Sequence, residues 1–191
     1  MPCRSFSISA FACQVGGKLA EVEGSVCFDC YARKGFYQMP NVKEALAKRK
    51  EQMESKEWAA SMIARILLEE KSGFFRWFDS GDIASLKVLR NIVRIAIALP
   101  QIRFWLPTKE YAIVQRYHEL YGAFPPNLNV RLSAYMVDKA GPDSLAERLG
   151  VTTSEVSSTG GDCPAPKQGN KCGDCRRCWD KSQQTVTYHL H

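Results

Sequence analysis

Residues 31 to 162 contain no cysteine, although the 191-residue chain carries eight, at positions 3, 13, 27, 30, 163, 172, 175 and 178. The middle is therefore expected to fold as a scaffold without thiol chemistry, with the reactive groups confined to the two ends. Long apolar runs are missing as well. A membrane span needs about 18–20 consecutive uncharged apolar residues, and even "NIVRIAIALP" is interrupted by Arg94. "MPCRSFSISAFACQVGG" lacks the basic start, apolar run and cleavage site of a secretory signal. The expectation is a protein of the cytoplasm with no membrane partner. In a reducing compartment clustered cysteines more often bind metal or do redox work than form disulfides. Internal repeats and long low-complexity segments are also absent, apart from the loop "STGGDCPAPKQGNKCGD".

At 45% hydrophobic residues the chain can bury a core without staples, so the cysteines need another reason. One domain over 1–191 is expected, made of an N-terminal cysteine segment (1–35), a scaffold (36–160) and a cysteine-rich tail (161–191). The net charge of +6 suits an anionic small molecule or nucleic acid. Much of the excess lies in "KEALAKRK" and around the C-terminal cysteines, and a solvated helix face explains the first run about as well.

The scaffold alternates helical and strand patterns. "NVKEALAKRKEQMESKEW" opens with Asn41 and Glu44 in capping-box spacing. Ser55 can cap a helix whose apolar side is Trp58, Met62, Ile63, Ile66 and Leu67, with Gly73 as its stop. "FFRWFDSGD" is a strand and loop, and "SLKVLRNIVRIAIALP" a helix. "IRFWLPT" is a strand, and "TKEYAIVQRYHELYG" a helix capped by Thr108. "NVRLSAYMV" is a strand, "GPDSLAERLG" a helix with Pro142 near its first position, and "VTTSEVSS" a last strand. This order predicts an α/β fold, either a partial (β/α) barrel or a small open parallel sheet with cysteine-rich ends, built on at most four strand-helix modules. Functional groups collect at the carboxyl ends of such strands, here Asp79-Ser80-Gly81-Asp82, Thr108-Lys109 and Ser133-Ala134-Tyr135.

Cys172, Cys175 and Cys178 form C-x2-C-x2-C after Cys163. Three evenly spaced thiolates on a glycine-containing loop favour an iron-sulfur cluster, and two separated C-x2-C knuckles keep zinc as the alternative. Cys13, Cys27 and Cys30 supply three ligands, which leaves a coordination position open, as a catalytic site requires. Cys3, or even Cys13, can instead be a buried small apolar residue. Closing a loop of about 140 residues costs on the order of 4–5 kcal/mol, against roughly 10–16 kcal/mol from a structural metal, so one shared centre stays open beside two separate ones.

Asp79 and Asp82 are candidate acid and base groups, although Asp82 also precedes an apolar helix as a cap would. Arg103, Lys109, Arg131 and Tyr135 can meet an anion or stay solvated. Trp77, Trp105, Phe75 and Phe104 read as core aromatics before base-stacking platforms. His118 lies in a helical pattern and His189 and His191 in a terminus expected to fray, so none enters the site.

The succession "FACQ", "VCFDCYARKG", "RWFDSGD", "RFWLPTK", "NVRLSAYM", "CPAP" and "CGDCRRCW" resembles the bacteriophage gene product 88 family over nearly the whole chain. The Cys-Tyr-Ala ending of the first cysteine group is also similar to a phage family related to radical S-adenosylmethionine enzymes. The resemblance implies a phage protein of the host cytoplasm with one or two [4Fe-4S] clusters, while a host protein or host nucleic acid is the partner expected of a stapled binding module. It further implies an open cluster at Cys13, Cys27 and Cys30 that takes S-adenosylmethionine, with Ser80, Gly81 and Asp82 near the cofactor's amino group. Thirteen residues separate Cys13 from Cys27, where those enzymes use C-x3-C-x2-C. The other reading is a zinc- or cluster-stapled binding module that presents Arg176, Arg177, Lys167 and Lys171.

Overall fold

The computed structural model describes residues 1–190. Among them, six parallel strands form one open sheet in sequential order: β1 (Arg4–Phe6), β2 (Phe74–Trp77), β3 (Arg103–Thr108), β4 (Leu128–Ser133), β5 (Thr152–Ser157) and β6 (Thr185–His189). β1 and β6 are its edges, and both lie beyond the four modules expected. His189 is the last residue of β6, and His191 lies outside the described residues.

The helices are α1 (Val15–Leu19), α2 (Pro40–Met53), α3 (Trp58–Glu69), α4 (Leu86–Ala98), α5 (Tyr111–Tyr121) and α6 (Asp143–Leu149). Right-handed crossovers between strands taken in order place connecting helices on one face. On that face Trp58, Met62 and Ile66 of α3, Leu89 and Ile92 of α4, Val114 of α5 and Ala146 of α6 meet Phe75, Trp77, Phe104, Leu106, Val130 and Leu132 in a continuous core. Strand aromatics thus act as core: Trp77 stacks on Phe104 with ring centroids 6.1 Å apart. Trp105, on the opposite face, is also buried.

Several expected caps are replaced. α2 starts at Pro40, whose missing N–H costs nothing in the first turn, so Asn41 is already helical. α3 begins at Trp58 after Glu57, and Ser55 does not cap it. α5 begins after Glu110, whose amide donates to Thr108 Oγ1 at 3.0 Å. Pro142 stands at the cap of α6. Asp82 is not the cap of α4. Ser85 is, its Oγ accepting from the Val88 amide at 3.3 Å.

Residues alternate faces along a strand, so the second face of the sheet carries Phe74, Arg76, Trp105, Asn129, Arg131 and Tyr188. The cysteine-rich tail covers it. Trp179 packs edge-on against Phe74 and Trp105 and donates from Nε1 to the Phe75 carbonyl at 2.9 Å. Arg131, read as an anion ligand or a solvated side chain, is instead wholly buried. Its guanidinium donates to the carbonyls of Thr153, Arg177, Asp180, Gln183 and Gln184.

Candidate cysteine site at the strand carboxyl ends

After β1 the chain runs across the carboxyl ends of β2, β3 and β4, and backbone bonds fasten it there. Ile8 donates to the Ser80 carbonyl at 3.2 Å and accepts from Ser80 Oγ at 2.8 Å. Gly81 has φ +82, and a Cβ there would stand 2.3 Å from Ile8 Cγ1 and 2.9 Å from its carbonyl oxygen. This turn therefore requires glycine. Further on, Val15 N donates to Glu110 Oε1 at 2.9 Å, Gln14 Nε2 to the Ala84 carbonyl at 2.7 Å, and Val26 N to the Tyr135 carbonyl at 2.9 Å.

These ties bring Cys13 and Cys27 to one place, with Cys30 near enough for its charge to act on both. A Cβ on Gly16 would lie 3.7 Å from Cys13 Sγ and 3.5 Å from Cys27 Sγ, so Gly16 lines a space that both thiols face. Burial pushes the Cys13 thiol up to about 12, and the charges of Asp82, Cys27 and Cys30 add to the rise. Burial also raises Cys27, opposed most by the Lys109 ammonium. Asp82 is buried, with Oδ1 accepting from the Ile83 amide at 2.7 Å and Oδ2 from the Lys109 amide at 2.8 Å. Desolvation nevertheless lifts its carboxyl to about 6. Tyr135 donates to the Lys109 carbonyl at 3.0 Å and stacks on Tyr111 at 4.5 Å. Asp79 stands at the edge of the group: its carbonyl accepts from Tyr31, while its buried Oδ1 has no partner among the described residues.

The expected residues Asp79, Ser80, Gly81, Asp82, Lys109, Tyr135, Cys13, Cys27 and Cys30 thus share one end of the sheet. Glu110 and Gly16 were not singled out from the sequence. Glu110 follows a predicted strand end, which was a usable signal, whereas the need for glycine at 16 follows only from the neighbouring thiols.

The tail cysteines lie apart, over the second face. Cys163 N donates to the Thr187 carbonyl at 3.1 Å, and Cys178 Sγ is 3.1 Å from the Tyr188 hydroxyl. Burial raises Cys178 to about 11, and Arg131 opposes the rise. Cys3 is raised to about 12 by burial and then by Glu70, and Cys172 is the one cysteine whose charge contributes. It therefore sides with the tail group. All eight cysteines are free thiols. Arg176 and Arg177 donate to carbonyls of Gly173, Cys175 and Asp162 and so brace the tail itself.

Among the described residues, no group of three or more His, Cys, Asp or Glu is drawn close enough to hold a metal ion. In donor chemistry the two cysteine groups still suit a thiophilic metal, and glycine at 16 keeps a side chain from standing against Cys13 and Cys27. No helix among the described residues is long and apolar enough to cross a membrane.

The family model described as Gene product 88 matches residues 3–181. No curated protein and no solved structure matches the chain.

Proposed function

Because the chain belongs to the gene product 88 family, a bacteriophage-associated family, we propose that it is an iron-sulfur protein of radical S-adenosylmethionine-like type with its working centre at Cys13, Cys27 and Cys30. The observation that carries this reading is that Cys13 and Cys27 face one space beside Gly16 at the carboxyl ends of β2–β4, with the charges of Cys30 and Asp82 acting on both thiols and that of Lys109 on Cys27. Parallel α/β folds place their chemistry at that end. Three thiolates would hold a four-iron cluster and leave one iron free for an exogenous ligand, which supplies one-electron chemistry when the cluster is bound. S-adenosylmethionine is the ligand that the resemblance suggests.

The chain's own residues have separable tasks. Lys109 lowers the cost of thiolate charge at Cys27. Asp82, lifted to about 6, can exchange a proton near neutral pH. Asp79 offers an unpartnered buried oxygen. Ser80 and Gly81 hold Ile8 in place, a positioning role. Cys163, Cys172, Cys175 and Cys178 form a second, closed group, and Arg131 offsets negative charge at Cys178. Zinc in this tail is the second reading, favoured by its position over the sheet with no role at the strand ends.

Anaerobic purification with iron, sulfide and zinc measured per chain tests both readings. Iron and sulfide that fall in a Cys13→Ala/Cys27→Ala/Cys30→Ala variant, together with a spectral change on adding S-adenosylmethionine, support the open cluster. A colourless protein carrying only zinc refutes it and leaves the stapled binding module. Neither metal refutes both.

A further inference from the structure

Exposed aromatic residues are concentrated around the mouth of the cysteine site. Phe11, Phe28, Tyr31 and Phe36 are 60%, 52%, 52% and 77% exposed. They alternate in sequence with the site thiols: Phe11 precedes Cys13, Phe28 lies between Cys27 and Cys30, and Tyr31 follows Cys30. Phe11, Tyr31 and Phe36 sit on the short helical turns Ala10–Ala12, Tyr31–Arg33 and Gly35–Gln38, the second of which touches both others, Phe28 lies in the turn before it, and the Arg33 guanidinium lies over the Phe11 ring at 4.9 Å. Buried aromatics are explained by the core, but a contiguous exposed group marks an interaction surface.

The positive charge borders the same place. Residues 33–50 carry six basic side chains and one acid, Glu44, a net +5 of the chain's +6. α2 carries four of these basic side chains against Glu44 and Glu51, follows directly from the Gly35–Gln38 turn and buries only Leu46 and Met53 among its fourteen residues. At 3.6 residues per turn, Lys43, Ala47 and Lys50 share one side of α2, next to the turn that presents Phe36 and Met39. Lys48 is engaged by Glu44 and Lys34 by Asp29, whereas no ion pair occupies Lys43, Arg49 or Lys50 among the described residues.

We infer that this rim and the adjoining face of α2 bind single-stranded nucleic acid, with unstacked bases on Phe11, Phe28 and Phe36 and phosphates along Lys43 and Lys50. Stacking platforms beside a basic track are how proteins take single strands without reading sequence. A duplex keeps its base faces stacked inside and cannot use the rings. An acidic membrane would use the lysines, but the aromatics sit on separate turns fixed to strand ends and do not form one face of an amphipathic helix. Binding does not depend on what the cysteines hold. If both inferences hold, the strand passes over the cysteine site.

The test is fluorescence anisotropy with labelled oligodeoxythymidylate, against a duplex of equal length and phosphatidylserine vesicles, on protein of measured iron and zinc content. The single strand is expected to bind more tightly than the duplex. Phe11→Ala/Phe28→Ala/Phe36→Ala should weaken it at least about tenfold, since each stacked base is worth ~1–3 kcal/mol. Lys43→Gln/Lys50→Gln should flatten the salt dependence by about 1.4 in log–log slope, at ~0.7 per phosphate. Tyr31 is left intact because it holds Asp79, and circular dichroism verifies folding of each variant. Single-strand binding by metal-free protein supports the inference even where the cluster reading fails. No binding at low salt, equal binding of duplex, preference for vesicles, or an aromatic variant that binds like the parent overturns it.

Discussion

Asp82 Oδ2 accepts the Lys109 backbone amide at 2.8 Å, which ties the loop after β2 to the carboxyl end of β3. The same carboxyl is buried deeply enough that desolvation outweighs this bond and the one from Ile83, and it stands near 6 in place of its ordinary 3.8. The folded state therefore holds a proton that the unfolded chain releases.

Stability should accordingly fall as pH rises. The contribution is fully present below 3.8 and is lost as pH passes through about 6, a change of about 3 kcal/mol by linkage. Asp82→Asn should remove this slope in urea unfolding followed across that range. It should also cost about 1–3 kcal/mol at low pH, because one of the two amides loses its acceptor.

Gly81→Ala places a Cβ 2.3 Å from the Ile8 side chain at φ +82. Left-handed backbone costs an alanine about 1–2 kcal/mol, and moving Ile8 strains its links to Ser80. A loss of about 2–4 kcal/mol is expected in chemical denaturation, together with a lower metal content. Parental stability would show that Ile8 adapts freely.

Gly16→Ala separates stability from metal binding. Inside α1 the substitution favours helix by up to about 1 kcal/mol, yet its methyl would sit 3.2 Å from Cys13 Cβ and 3.5 Å from Cys27 Sγ. The variant should keep the parental melting temperature or exceed it while its iron content falls. Unchanged iron per chain would remove Gly16 from the site.

Arg131→Met leaves as many as five carbonyls without their donor, at about 1–3 kcal/mol for each that finds no other partner. Because four of them belong to Arg177, Asp180, Gln183 and Gln184, the tail should detach first. Limited proteolysis is expected to cut within 160–184 before the scaffold, and tail metal to be lost before metal at Cys13, Cys27 and Cys30. Simultaneous cleavage of scaffold and tail would argue against a locally held tail.

Periodicity in the sequence was enough for β2 to β5 and α3 to α6, because burial against a core repeats every two residues in a strand and every 3.6 in a helix, and the stretch opening at Asn41 read as helix where α2 stands. β1 spans three residues, Arg4–Phe6, too few for a period to register. β6 does alternate, as Thr-Val-Thr-Tyr-His, but it follows an irregular loop and reads as a frayed end until Thr153 and Val156 supply its partners.

By itself the sequence determined the α/β alternation, the division of the cysteines between the two ends, and the strand-end loops where Asp79, Asp82, Lys109 and Tyr135 collect. Only the tertiary structure decided that Cys13, Cys27 and Cys30 stand apart from the tail cysteines, that Asp82 is buried beside Lys109, and that Arg131 serves the tail. It also decided that α2 is left almost uncovered beside the exposed phenylalanines. The physical reason is range: patterning reports whether a side chain faces a core, whereas charge, desolvation and partnership depend on groups many residues away that meet only when the sheet assembles.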